Sequence, residues 1–342
     1  MDVLSEVLKT VYLNGAVYFN GRFSAPWKIV SPPSASIAPL FANKSEHLII
    51  YHLLTEGRAH ASVRRDPPVE LVAGDLLVLP HGDAHSVGNG SPNSCTDSAS
   101  LLPQVLAQKL KEISLGGGGE QTRILCGYLA CDRLTLQPLL TCLPPLLKIS
   151  IRNTDFGRWL EDSIRFSVRE AELSAAGSEA VLARLSEVLF LEAIRRFIES
   201  LPAEEKGWLA GARDPVVGQS LMLLHRAPMR PWSIADLAKR VGVSRSALAQ
   251  RFTDYLGEPP MKYLADWRMR LAARSLAATS RSILEIALEL GYDSEAAFNR
   301  AFKRHLGSPP AQYRKAVRAR LHPSTAKPRV LHQETMDSTD TL

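Results

Sequence analysis

The chain has 342 residues, 45% apolar and 22% charged, enough for two or three domains with a core each. No apolar run approaches the roughly 20 residues needed to span a bilayer. The start, MDVLSEVLKTVYLNG, turns acidic at once and lacks the basic lead and cleavage site of a secretory leader, so a cytoplasmic protein with no membrane partner is expected.

Four cysteines, at 95, 126, 131 and 142, include no Cys-x-x-Cys pair and predict free, mostly buried thiols. The formal net charge of +6 is unevenly placed. Residues 208–320 hold 19 Lys and Arg against 9 Asp and Glu, a local excess of ten, so the rest of the chain is about four negative. That asymmetry predicts that one end of the chain meets a polyanion.

Residues 1–148 are rich in Pro, Gly and short apolar runs, HLIIYHLL, VELVAGDLLVLP and TRILCGYLA, which predict strands separated by turns. GNGSPNSCTDSAS and SLGGGGEQ read as flexible loops around a short helix near LPQVLAQKLKEI. The glycine run is no phosphate cradle, because no Lys-Ser/Thr follows it and it leads into a strand. GDLLVLPHGDAHSVGN sets Gly74, Pro80, Gly82, His85 and Asn89 at the spacing of two strands joined by a tight turn, with the histidine returning toward an interior.

This stretch resembles the second conserved motif of the cupin β-barrel at each of its fixed positions. The resemblance implies an all-β, cupin-like barrel over roughly residues 8–148. Metal-binding cupins also carry His-x-His and a Glu ahead of a strand-ending glycine. Here that glycine is Gly57, position 50 is Ile, and His-x-His is missing. His47, His52, His60, His81, His85 and Cys126 have ligating atoms. Without the first motif, however, no metal, cofactor or catalytic residue is expected. A small-molecule effector held by Trp27, His52 and His85 is expected instead.

Residues 149–207 change character. In SEAVLARLSEVLFLEAIRRFIESLP, Val181, Leu182, Leu185, Val188, Leu189, Ile194, Phe197 and Ile198 recur at helical spacing, and Pro202 follows the end. A helix around DFGRWLEDSIRFSV precedes it. The pair is expected to form a helical connector whose apolar positions serve either as core or as the face of a homodimer; periodicity leaves both open.

Residues 208–320 contain a repeat. VGVSRSALAQRFTDYLGEPPMKY and LGYDSEAAFNRAFKRHLGSPPAQY match with an offset of 49 at Ala238/Ala287 and Gly242/Gly291, and of 50 at Phe252/Phe302 and Pro259/Pro309. Each copy predicts two helices around a turn, the sequence form of a helix-turn-helix. Ser233 with Asp236, and Ser282 with Glu285, predict capping-box starts. Leu248, Phe252 and Leu256, then Phe298, Phe302 and Leu306, form inward stripes.

The opposite faces carry Arg245, Ser246, Ala249 and Gln250 in the first copy, and Glu295, Ala296, Asn299, Arg300 and Lys303 in the second. These are the candidate DNA-reading residues. Arg300 suits a guanine edge, Gln250 or Asn299 an adenine edge, and Arg245, Lys303 and Arg304 suit phosphates. PPMKYLADWRMRLAARSLA, between the copies, predicts a helix of about 28 Å, long enough to set two reading heads in successive major grooves.

Residues 213–318 resemble the C-terminal domain of the AraC/XylS family of transcription regulators, through the whole repeat, the linking helix and the LGEPPMKYL and LGSPPAQYR endings. The resemblance implies seven helices, double-stranded promoter or operator DNA as partner, and contact with RNA polymerase. The barrel then looks like the sensor domain of one branch of that family. Small Ser246 and Ala249 shift the expected base specificity toward the second head.

The chain is therefore expected to be multi-domain: a cupin-like effector-binding barrel over 1–148, a helical connector and dimerisation region over 149–207, an all-α double helix-turn-helix domain over 208–320, and a disordered tail over 321–342. The expected function is ligand-controlled, sequence-specific transcription regulation at the nucleoid, not catalysis. A cupin metalloenzyme tethered to DNA and a DNA-binding protein without a sensor are the alternatives.

Overall fold

Alternating and continuous apolar runs in the first 150 residues resolve into two sheets. The computed structural model describes residues 3–10, 13–41, 47–91, 95–107, 110–202 and 204–321. In chain order the first part comprises α1 (Val3–Thr10), β1 (Leu13–Ser24), β2 (Trp27–Ser31), α2 (Ser34–Phe41), β3 (His47–Glu56), β4 (Arg58–Val63) and β5 (Val69–Val72). It continues with β6 (Asp75–Leu79), β7 (His85–Asn89), β8 (Thr96–Asp97), α3 (Ser98–Ala107), β9 (Ile113–Gly116), β10 (Gln121–Cys131), α4 (Arg133–Leu140) and β11 (Leu147–Ser150).

One sheet runs β11-β6-β3-β10-β1-β9 and the other β5-β4-β7-β2-β8. Strand β1 alternates buried and half-buried residues, as a strand with one covered face must. Strand β3 is buried along nearly its whole length, because both of its faces are covered.

The outer cover is helical. α5 (Asp155–Glu172) packs on α6 (Ser178–Ser200), and α6 lies against the six-stranded sheet. At Gly15 a Cβ would come within 2.6 Å of the Ala183 carbonyl oxygen and the Ser186 Cβ, so glycine is what lets α6 approach β1. Tyr51 donates its hydroxyl to Ser186 Oγ at 2.6 Å, and Ser186 in turn donates to the Leu182 carbonyl at 2.8 Å. Arg152 pairs with buried Glu161 at 2.7 Å and also donates to the Thr55 carbonyl, which fixes α5 to β3.

The last part is helical: α7 (Trp208–Arg213), α8 (Pro215–Arg226), α9 (Ile234–Arg240), α10 (Arg245–Leu256), α11 (Pro260–Ala278), α12 (Ile283–Glu289), α13 (Glu295–Leu306) and α14 (Pro310–Leu321). Helices α8–α14 are the seven the family resemblance implied. Leu248, Phe252, Phe298 and Phe302 are completely buried, each worth about 1.5–3 kcal/mol of apolar burial. Ser282 and Glu285 form a complete capping box. Ser233 caps α9, but the Asp236 carboxylate turns to Arg230 and Arg240, so the first copy realises half of that motif.

Three apolar cores form. One fills the barrel with Phe19, Phe23, Trp27, Ile50 and Leu54. A second runs unbroken from the outer face of the six-stranded sheet through α5 and α6 into the first helix-turn-helix. The third belongs to the second helix-turn-helix and the C-terminal half of α11.

Two local expectations shift. Helix α3 starts inside the stretch read as a loop, because Asp97 Oδ1 accepts from the Ala99 amide and caps it. Cys126 and Cys131 are buried, but Cys95 is exposed and Cys142 half-buried. The expected tail beyond residue 321 lies outside the described residues.

Candidate nucleic-acid interface and barrel cavity

Ser244 and Ser294 cap the starts of α10 and α13, and Gly257 and Gly307 end them in the left-handed region at φ +75° and +80°. With Leu248, Phe252, Phe298 and Phe302 facing inward, the opposite faces are left to solvent. Arg245, Ser246, Gln250, Glu295, Ala296, Arg300 and Lys303 are exposed, and Ala249 and Asn299 are half-buried.

Ser246 shares a hydroxyl contact with Ser244 at 3.1 Å, and the Gln250 amide donates to Asp254 at 2.8 Å. The side chains of Arg245, Arg300 and Lys303 have no hydrogen-bond or ion-pair partner among the described residues. Three unpaired cations on two exposed helix faces suit phosphate and base-edge acceptors. Arg251 differs: its Nε lies 2.9–3.0 Å from both oxygens of Asp214, the N-cap of α8, so it braces the domain.

The heads are pinned to the rod between them. Arg268 of α11 donates to the Pro228 and Arg230 carbonyls beside the first head, both at 2.7 Å. Asp266 meets His305 of α13 at 2.6 Å. Deeper in, Trp208 Nε1 donates to the Tyr263 hydroxyl at 2.8 Å, which donates to His225 Nε2 at 2.6 Å. This line of bonds ties α7, α8 and α11 together. Burial holds the His225 pKa down to about 3.

Inside the barrel, His52 of one sheet meets His85 of the other. His85 Nδ1 donates to the Asp83 carbonyl at 2.9 Å, so its Nε2 accepts from His52 Nε2–H at 2.8 Å. His52 Nδ1 is then left to accept from the Cys126 thiol, also at 2.8 Å. All three groups are neutral. Burial, and then each histidine's neighbour, keeps His52 well below its ordinary value; burial lowers His85 and raises Cys126.

Trp27 does not converge on this pair. Ser31, not Trp27, is the residue of β2 opposite His85, which leaves Trp27 about 13 Å along the strand, stacked on Phe23 at 4.3 Å. Among the described residues no group of three or more His, Cys, Asp or Glu is placed to hold a metal ion.

A cavity of about 330 Å³ lies elsewhere, at the barrel's end. Its walls are the 81–84 turn between β6 and β7, the start of α2, His47 at the head of β3, Arg64 after β4, and Arg133 at the start of α4. None of Trp27, His52 and His85 lines it. Arg64, with a left-handed φ of 53°, reaches Asp83 at 3.0 Å. Arg133 is exposed and unpaired among the described residues. His47 Nε2 donates to the Pro80 carbonyl at 2.7 Å, and His81 Nε2 to the Leu143 carbonyl at 3.0 Å.

Comparison with known proteins accounts for both halves. Residues 2–199 match a family model described as "Cupin", and residues 237–316 match one described as "Helix-turn-helix domain". A putative AraC-like transcription regulator of Streptomyces lividans is 33% identical over 250 residues, covering 73% of this chain and 81% of that protein. The chain belongs to the AraC family of transcription regulators.

The HTH-type transcriptional regulator AlkR of Acinetobacter baylyi is 28% identical over 316 residues, 92% of this chain and 99% of that one. Among solved structures, the DNA-binding domain of AdpA in complex with a target DNA is 32% identical, covering 32% of this chain and 98% of that one, with a TM-score of 0.30. As an AraC-type regulator the chain is a DNA-binding protein acting on double-stranded DNA, not an enzyme. No helix among the described residues is long and apolar enough to cross a membrane.

Sequence reasoning missed the cavity of this AraC-type regulator and its two arginines. Arg64 and Arg133 are 69 positions apart on different elements, and neither stands in a motif. The one signal available was negative: Arg133 opens a helix, where a cation is disfavoured.

Proposed function

We propose that this regulator reads an asymmetric operator with both heads of each chain and answers to a small-molecule effector bound by its cupin domain. The reading residues are Arg245, Ser246, Ala249 and Gln250 on α10, and Glu295, Ala296, Asn299, Arg300 and Lys303 on α13. The observation that carries this reading is the pair of unlike, solvent-facing polar surfaces on two helices joined by one pinned rod. At 1.5 Å per residue, the 19 residues of α11 span about 28 Å, against about 34 Å between successive major-groove faces.

Two chains acting together lengthen the recognised site. Phe156, Trp159 and Phe166 on α5 and Leu173 at its C-cap stand exposed at spacings of three and seven, an apolar stripe within the 155–201 helix pair. Asp162, Arg169 and Glu170 beside it carry both signs of charge, which suits pairing with a second copy of the same surface. The homodimer works at the nucleoid in the cytoplasm, in contact with RNA polymerase.

Footprinting on a selected operator tests the reading. Two protected patches about one helical turn apart per chain are expected. Arg300→Ala should cost about 1–3 kcal/mol on the specific site and relax base choice there. A single protected patch per chain, or an equal loss on every sequence, overturns the assignment.

A further inference from the structure

We propose that the cavity between the 81–84 turn, the start of α2 and the start of α4 is a binding site for a small organic monoanion, a carboxylate, whose occupancy is passed to the rod α11. This deepens the reading of the chain as an effector-controlled regulator and rests on it.

Charge and geometry select the ligand. Two guanidinium groups and one carboxylate, Arg64, Arg133 and Asp83, line the space, leaving one positive charge to be matched. A monoanion closes that balance; a phosphate dianion overshoots it. Arg64 is already engaged with a planar carboxylate, while Arg133 keeps its whole fork of donors for another. Ala35 and Ala84 add apolar wall, and 330 Å³ is at the small end of ligand sites. Burial, and after it the Arg133 charge, lowers the His47 pKa, and with its Nε2–H given to Pro80 that histidine adds no charge to the cavity.

The route outward is short. Arg133 is the first residue of α4, and the next residue, Leu134, packs into the apolar core of the second reading head. Helix α4 lies against α11. A carboxylate that draws Arg133 into the cavity therefore pulls on the helix that touches the rod. On the opposite wall, Asp83 supplies the carbonyl that orients His85. An anion competing for Arg64 loosens the turn that holds it. Control then requires that the ligand favour the position of α4 that brings Arg133 to it over the position α4 has in this structure.

The test uses the full chain with sodium hexanoate and sodium benzoate, and with 1-hexanol, benzyl alcohol and inorganic phosphate as neutral and dianionic controls. Thermal melting and operator affinity are measured on the same samples. At about 10 mM the carboxylates should raise the melting temperature by about 2 °C or more, and the controls should not. Operator affinity should change at least about five-fold. Arg133→Gln should abolish both effects, and Arg133→Lys should leave a weaker version of each.

Equal stabilisation by the alcohols, an unchanged response in Arg133→Gln, or no response to any carboxylate overturns the site. Binding without a change in operator affinity overturns its effector role. Loss of specific DNA binding without ligand would instead count against the proposed function, so the two failures are distinguishable.

Discussion

Cys126, His52 and His85 hold one proton between each adjacent pair, and the arrangement works only while both imidazoles are neutral. His225, deep in the DNA-binding half, is likewise held neutral by burial. Unfolded histidines titrate near 6.5, and these fold with lower values. Their contribution to stability is therefore complete above about pH 6.5. As the pH falls toward the folded values, it shrinks by up to about 1.4 kcal/mol per unit per group, because the unfolded chain takes up protons that the folded chain refuses. Urea unfolding should show a lower midpoint at pH 5.5 than at 7.5. His225→Gln, which keeps an acceptor for Tyr263 but does not titrate, should flatten that slope; an identical slope would mean the histidine is not protonated on unfolding in this range.

Among the elements, the two helix-turn-helix copies owe their shape to short-range chemistry. Gly242 and Gly291 both sit at left-handed φ, with open space where a side chain would go. Gly291→Ala should thus meet no clash and cost only the backbone penalty, about 1–2 kcal/mol in chemical denaturation. That locality is why the repeat could be read from residues alone: its caps, turn glycines and aromatic stripes all act within one or two helical turns. The cupin turn was legible for the same reason, since Gly74, Pro80, Gly82 and His85 lie within a dozen positions. Helix α3 was misplaced because one aspartate, Asp97, outweighs the Ser- and Asn-rich composition before it. The His52–Cys126 contact joins residues 74 apart, and the cavity joins Arg64 to Arg133; tertiary packing alone brings such groups together, and no spacing in the chain encodes it.

At the scale of the whole molecule, the cores do not follow the functional division. The first reading head shares one continuous apolar core with the sheet's outer cover, whereas the second has a core of its own. α1 at the chain's start lies on α8, and α4 lies on α11, so the cupin half touches both the opening helix of the DNA-binding half and the rod between its heads. The exposed stripe on α5 lies away from these contacts. Trp159→Glu should consequently leave the melting temperature nearly unchanged while shifting sedimentation from dimer to monomer; a variant that still sediments as a dimer would place the pairing surface elsewhere. The two heads, finally, are unlike: one presents Arg245, Ser246 and Gln250, the other Glu295, Asn299 and Arg300. A chain built this way has a front and a back. Under the proposed reading, the target of one chain is therefore expected not to be a mirror of itself within that footprint, and turning it end for end should turn the bound chain with it.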